Sequence, residues 1–147
     1  MSKLPLKIRS DKLWQDVYRL VEHMYDIVYG LIDEHPDEQW TTASRLRSAA
    51  NDSLFYVSQA VGSAKIDAAQ YDWNSARKSL FSLQSMYTFA AKQTFFKLEP
   101  ELVIEIDAML DLIDYKIKEG KKEEISQSKK ELEPWLEKYR IWQDLQK

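Results

Sequence analysis

Two histidines, His23 and His35, and no cysteine are what this chain of 147 residues offers to nucleophilic, metal and general-base chemistry. A di-iron carboxylate bundle needs Glu-x-x-His pairs on facing helices. Here the residues three before the histidines are Leu20 and Ile32, so that chemistry is excluded. Helical nucleases that use an Arg–His pair place four to six residues between the two. Only three separate Arg19 from His23, and no suitable Arg precedes His35. Without cysteine there is no disulfide, thiolate nucleophile or Cys-ligated metal. Glu101, Glu105, Asp107, Asp111 and Asp114 have the charge to hold a divalent cation, but their spacing fits a solvated helix face better. No catalytic, cofactor-binding or metal-ligating residue is assigned, no cofactor is expected, and the chain reads as a non-enzyme.

Binding is the remaining class. Arg45, Arg47, Lys65, Arg77, Lys78 and Lys92 form the one basic group that stands out, and they are the nucleic-acid-binding candidates. Arg45 and Arg47 lie about 200° apart around a helix and cannot face one ligand. Ion pairs with the fourth predicted helix or a neighbouring subunit explain the group more plainly. Net charge is −3 but unevenly spread. The segment 41–97 carries 7 basic and 3 acidic residues, whereas 98–119 carries 2 and 7. Such polarity arises from complementary packing or from a polarised binding surface. Trp135, Tyr139 and Trp142 near the C-terminus are the partner-docking candidates. They either pad the outside of the fold, pair with another copy or engage a different protein.

The elements that must position these residues are helical. Leu13, Val17, Leu20, Met24, Ile27 and Leu31 form one heptad seam, and Trp14, Tyr18, Val21, Tyr25, Val28 and Ile32 form a second beside it. An apolar face this wide must sit between several neighbours. The first helix is expected to be capped by Ser10 or Asp11 and to end near Asp33, before Pro36. His23 falls on its polar stripe and is expected to be exposed. A second helix is expected to start at Pro36 or Asp37 and reach about Ser63. Its inward set is Trp40, Ala43, Leu46, Ala50, Leu54 or Ser53, Val57 and Val61. The small residues Ala43, Ser48, Ala49, Ala50 and Ser53 predict a close helix–helix approach on this face.

A third helix is expected from Asp72 as N-cap, with Trp73, Ala76, Leu80, Leu83, Tyr87, Ala90 and Thr94 inward. Alternatively the second helix runs past Gly62 to about Ala69. Phe81, Phe89, Phe95 and Phe96 flank the third helix, and Phe95, Phe96 and Leu98 are expected to close one end of the bundle. Pro100 opens a fourth helix with Leu102 or Val103, Ile106, Met109 or Leu110, Ile113 and Ile117 inward. Gly120 is expected to stop it at the C′ position. A fifth segment carries Ile125, Leu132, Trp135, Leu136, Tyr139, Trp142 and Leu145, with Pro134 expected to kink or divide it.

Together these predict an all-α chain: an up-and-down antiparallel four-helix bundle at 11–119, a tail at 1–10 docked through Leu4 and Leu6, and a C-terminal helical extension at 120–147. No run approaches the roughly 20 apolar residues of a membrane span, and the first residues lack a signal-peptide core. With no cysteine as well, a cytoplasmic protein is expected.

Pro36-Asp37-Glu38 followed by Leu46-Arg47-Ser48-Ala49-Ala50 resembles the four helix bundle protein family. That family includes proteins encoded in intervening sequences of bacterial 23S rRNA genes and accessory variability determinants of diversity-generating retroelements. The family's Asn-Ile-Ala-Glu-Gly-like helix end is echoed at Tyr56-Val57-Ser58-Gln59-Ala60, and its Ser-Leu-x-Glu-Leu-like patch at Ser79-Leu80-Phe81-Ser82-Leu83-Gln84. The resemblance covers roughly residues 11 to 119. It implies a homo-oligomer, commonly a pentameric ring, that binds RNA or DNA and a reverse transcriptase as an accessory protein. Those relatives tend to be basic, whereas this chain is acidic overall.

Overall fold

Asp11 starts the first long helix by accepting the backbone N–H of Trp14 at 2.8 Å, which satisfies one of the donors a helix leaves open at its N-terminus. The computed structural model describes residues 4–147. A one-turn helix α1 (Leu6–Arg9) is followed by α2 (Lys12–Glu34), α3 (Thr42–Gly62), α4 (Ile66–Lys92) and α5 (Pro100–Leu145). Among the described residues there is no strand, and α2 to α5 form an all-α, up-and-down bundle. α2 packs on α3, α3 on α4 and α4 on α5. No described helix is long and apolar enough to cross a membrane.

Both seams of α2 are used. Trp14, Val17, Met24, Val28 and Leu31 are essentially solvent-free, and Tyr18, Tyr25, Ile27 and Ile32 pack half-buried around them. Two of these aromatics pair their polar atoms across to α3. The Trp14 indole N–H donates to Ser58 Oγ at 2.8 Å, and the Tyr25 hydroxyl donates to Asn51 Oδ1 at 2.8 Å. Both partners are on α3, so these bonds fix how far α2 slides along it. On α3 the inward set is Ala43, Leu46, Ala49, Ala50, Ser53, Val57 and Ala60. Ser53, not Leu54, takes the central position, and its hydroxyl donates to the Ala49 carbonyl, so its burial leaves no orphan donor.

Several boundaries differ from expectation, each for a local reason. Residues Leu6–Arg9 of the expected tail are helical, and Ile8 rather than Leu6 is the buried anchor. Ile8 lies against Gly62, where an added Cβ would stand 3.1 Å from its Cδ1. Residues 1–3 of that tail lie outside the described residues. The second long helix begins at Thr42, not near Pro36, because Pro36–Glu38 form a 3₁₀ turn closed by the Glu38 side chain. Trp40 therefore stands before the helix, out of phase with its inward stripe, and is 79% exposed. α4 begins at Ile66, six residues before Asp72, and α3 does not run on to Ala69. Gly120 does not stop the last helix: α5 is continuous for 46 residues, with Pro134 inside it.

Thr94 was expected on the inward stripe of α4 but has φ 63°, the left-handed region. It is the C′ residue of a Schellman turn. The Thr94 N–H donates to the Ala91 carbonyl and the Phe95 N–H to the Ala90 carbonyl. The apolar contact that accompanies this motif comes from Phe95, which packs on the core together with Phe96 and closes that end of the bundle. Phe96 stacks on Tyr87, whose hydroxyl accepts the Glu99 N–H at 2.8 Å. A β-branched residue is strained at a left-handed position. Thr94→Gly is therefore expected to stabilise the fold by about 1 kcal/mol, while Leu80→Ala, at a position with no exposure, is expected to cost about 2–5 kcal/mol. Urea unfolding followed by circular dichroism measures both.

Candidate functional site

The six basic candidates do not converge. Lys65 caps one end of α4 and Lys92 lies in its last turn, about 40 Å away at the helical rise. Arg77 is engaged with α5, its Nε donating to Asp114 Oδ1 at 2.6 Å. Arg47 is half-buried on a flank of α3. Only Arg45 and Lys78 share a surface, a hollow of about 300 Å³ between α3 and α4 that also holds Asp52. Of the acidic residues on α5, Asp114 pairs with Arg77 and Asp107 accepts the Gln84 side-chain amide at 2.7 Å. Among the described residues no three His, Asp or Glu side chains stand together as a metal site would require.

A concavity of about 580 Å³ lies between α2 and α5. Its floor is Leu13, Leu20, Leu102 and Met109, with the partly exposed Leu112 beside them, so its lining is more apolar than polar. Its rim is charged. His23 is not simply exposed on its stripe, because its Nε2 is 2.8 Å from Glu99 Oε2 across the groove. Asp16 accepts from both Lys12 and Arg19. Nothing in the spacing of the sequence announces the His23–Glu99 pair, since the partners are 76 residues apart. The His23–Glu99 contact joins α2 to the start of α5, while the Asp16 contacts stay within α2.

The C-terminal part of α5 differs in kind. Its buried residues end at Ile117. Beyond it, Gly120 passes under the side chain of Gln70, where an added Cβ would collide with the Gln70 amide. Glu124, Gln127, Ser128 and Glu131 then line a hollow beside the α3–α4 turn. Every residue from Ile125 to Lys147 is exposed. Trp135, Tyr139 and Trp142 are 67%, 54% and 56% exposed, and Leu132, Leu136, Ile141 and Leu145 are more than half exposed as well. Tyr139 and Trp142 stack on each other, and Lys138 lies 5.0 Å over the Trp135 ring. All three docking candidates are thus together on one projecting helix. Ile141 joins the exposed apolar residues although it lies off the stripe, a position that periodicity alone does not single out.

Comparison with protein-family models, curated proteins and solved structures finds no match for this chain. The resemblance to the four helix bundle protein family therefore stands on the residues quoted for it.

One titration bears on the turn that sets the start of α3. The Thr41 and Thr42 hydroxyls donate to Glu38 Oε2 at 2.6 and 2.7 Å, and these bonds hold the Glu38 carboxyl below its ordinary value. A depressed carboxylate contributes stability above its unfolded value and loses that contribution as pH falls through the folded one. Acidification from neutral pH is expected to loosen residues 36–42. Glu38→Gln is expected to remove that pH dependence. Amide chemical shifts of Thr41 and Thr42 through an acid titration check both.

Proposed function

We propose that this protein is a non-enzymatic helical scaffold whose C-terminal α5 segment docks a protein partner, the bundle serving as the rigid base that presents it. The observation that carries this reading is the exposure of eight large apolar side chains, from Ile125 to Leu145, on a helix that continues past its own core. A helix without a covered apolar face is marginal in water, because most helical stability in proteins comes from packing. Exposed aromatic residues of this density mark interaction surfaces, with Trp and Tyr the usual anchors. The charged residues between them, Lys129, Glu131, Lys138 and Arg140 among others, keep such a surface soluble when free.

The accessory role implied by the family resemblance, with RNA or DNA and a reverse transcriptase as partners, has less support. Of its candidate basic residues only Arg45 and Lys78 share a surface, and Asp52 lines the same hollow. Backbone binding to nucleic acid needs several unpaired cations along one face.

Deleting residues 121–147 tests the docking reading. The buried set of α5 ends at Ile117, so the shortened chain is expected to keep the helical content and cooperative unfolding of the bundle. It is expected to lose association with itself and with other proteins, as measured by light scattering and by pull-down from the source cell. Full retention of association would overturn the reading. A mass increase with a short structured RNA that weakens with salt would favour the nucleic-acid accessory role instead.

A further inference from the structure

The exposed face of α5 has a regular repeat. Ile125, Leu132 and Tyr139 recur every seven residues, and so do Ser128, Trp135 and Trp142. Positions offset by three and four in this way form the single seam of a two-stranded coiled coil. Pro134 falls roughly opposite that seam, so its missing N–H affects the outer side of the helix. The exposed apolar side chains on this seam and its flank amount to on the order of 800 Å², about what each partner of a stable complex buries.

We propose that residues 125–142 of α5 pair antiparallel with the same segment of a second copy, making the protein a dimer with its two bundles at opposite ends of a short coiled coil. This deepens the docking reading above and rests on it.

Volume selects this arrangement, and charge is complementary in it. In antiparallel register, Ile125 meets Trp142 of the second copy, Leu132 meets Trp135, and Tyr139 meets Ser128. Each layer sets a larger side chain against a smaller one, which fills space without voids. A parallel pair would instead stack Trp on Trp at two layers and Ser on Ser at another, and would bring the two bundles alongside each other. Helical side chains lean toward their own N-terminus. In the antiparallel pair Glu131 and Lys138 of opposite copies therefore lean toward each other, twice by symmetry. The other flanking contacts pair Lys129 with Leu136 and Lys122 with Gln143, so no like charges meet. In a parallel pair Glu131 would face Leu136, Lys138 would face Gln143 and Glu124 would face Lys129, so the attraction would fall on a different pair and reversing Glu131 or Lys138 would leave it untouched.

Light scattering during size exclusion, over a range of loading concentrations, tests the proposal on the full chain. The expected result is a mass of two protomers. Glu131→Lys, at the exposed rim of the hollow beside the α3–α4 turn, and Lys138→Glu, at an exposed position beyond it, are each expected to weaken the dimer roughly ten-fold or more with unchanged helical content. The Glu131→Lys/Lys138→Glu double variant is expected to restore it. Leu132→Asp is expected to give a monomer with unchanged helical bundle. A monomer at about 100 μM would overturn the pairing, as would a dimer or larger oligomer indifferent to the charge reversals. In such a monomer, hydrogen exchange separates the two ideas. Rapid exchange over 121–147 leaves a free docking helix for another protein, whereas protection there means the segment packs on its own bundle and the docking reading fails too.

Discussion

The close approach of α3 and α4 is the constraint on which the rest of the bundle depends. Ala43, Ala49, Ala50, Ser53 and Ala60 give α3 a face with little side-chain bulk, and Ala76 and Ala90 do the same on α4. Backbones brought close in this way leave the larger side chains, Leu46, Val57, Leu80, Leu83 and Tyr87, to fill the layers between them. Dispersion contacts are weak singly, so such a face stabilises only where the fit is continuous. A larger residue at Ala50 or Ser53 would push the helices apart along their length. Once α3 and α4 are set, α2 attaches to one side through Trp14 and Tyr25, and α5 to the other through Ile106, Ile113 and Ile117.

The ends of the bundle are handled by different chemistry. At one end the Schellman turn at Thr94 reverses the chain, and Phe95 and Phe96 cover the core. Tyr87 reaches that end from within the core and accepts a backbone donor from the loop, with burial raising its phenol above its ordinary value. Its hydroxyl thus holds the start of α5 while its ring remains part of the core. At the other end no such closure stops α5, which runs past the α3–α4 turn and out of the bundle.

That continuation shows how a local signal is overruled. Gly120 after Lys116 and Lys118 has the composition of a helix end, and an interior glycine costs about 1 kcal/mol relative to alanine. The following residues, Lys121 to Glu124, are all good helix formers, and Lys122 pairs with Glu119 one turn back. Continuing the helix adds a backbone bond at each residue, whereas stopping it leaves four carbonyls open. The glycine has a packing role instead, since Gln70 of α4 lies over it.

The inward faces of α2, α4 and the first half of α5, the Asp11 cap and the closure by Phe95 and Phe96 were legible in the sequence. Apolar spacing is a property of neighbours along the chain, and a helix shows it whatever else surrounds it. Other features were decided only by tertiary structure. Trp40 is outside because the Glu38 turn delays the start of α3, and Thr94 is outside because the chain reverses there. His23 is paired because Glu99 arrives from far along the chain. The basic residues are scattered because α4 is long enough to carry its cations to opposite ends. For the aromatic stripe of α5, spacing establishes that the face is apolar, but only the path of the helix beyond the bundle leaves it uncovered. Periodicity encodes which side of a helix must be buried, while the partner that buries it is a matter of what lies opposite in space.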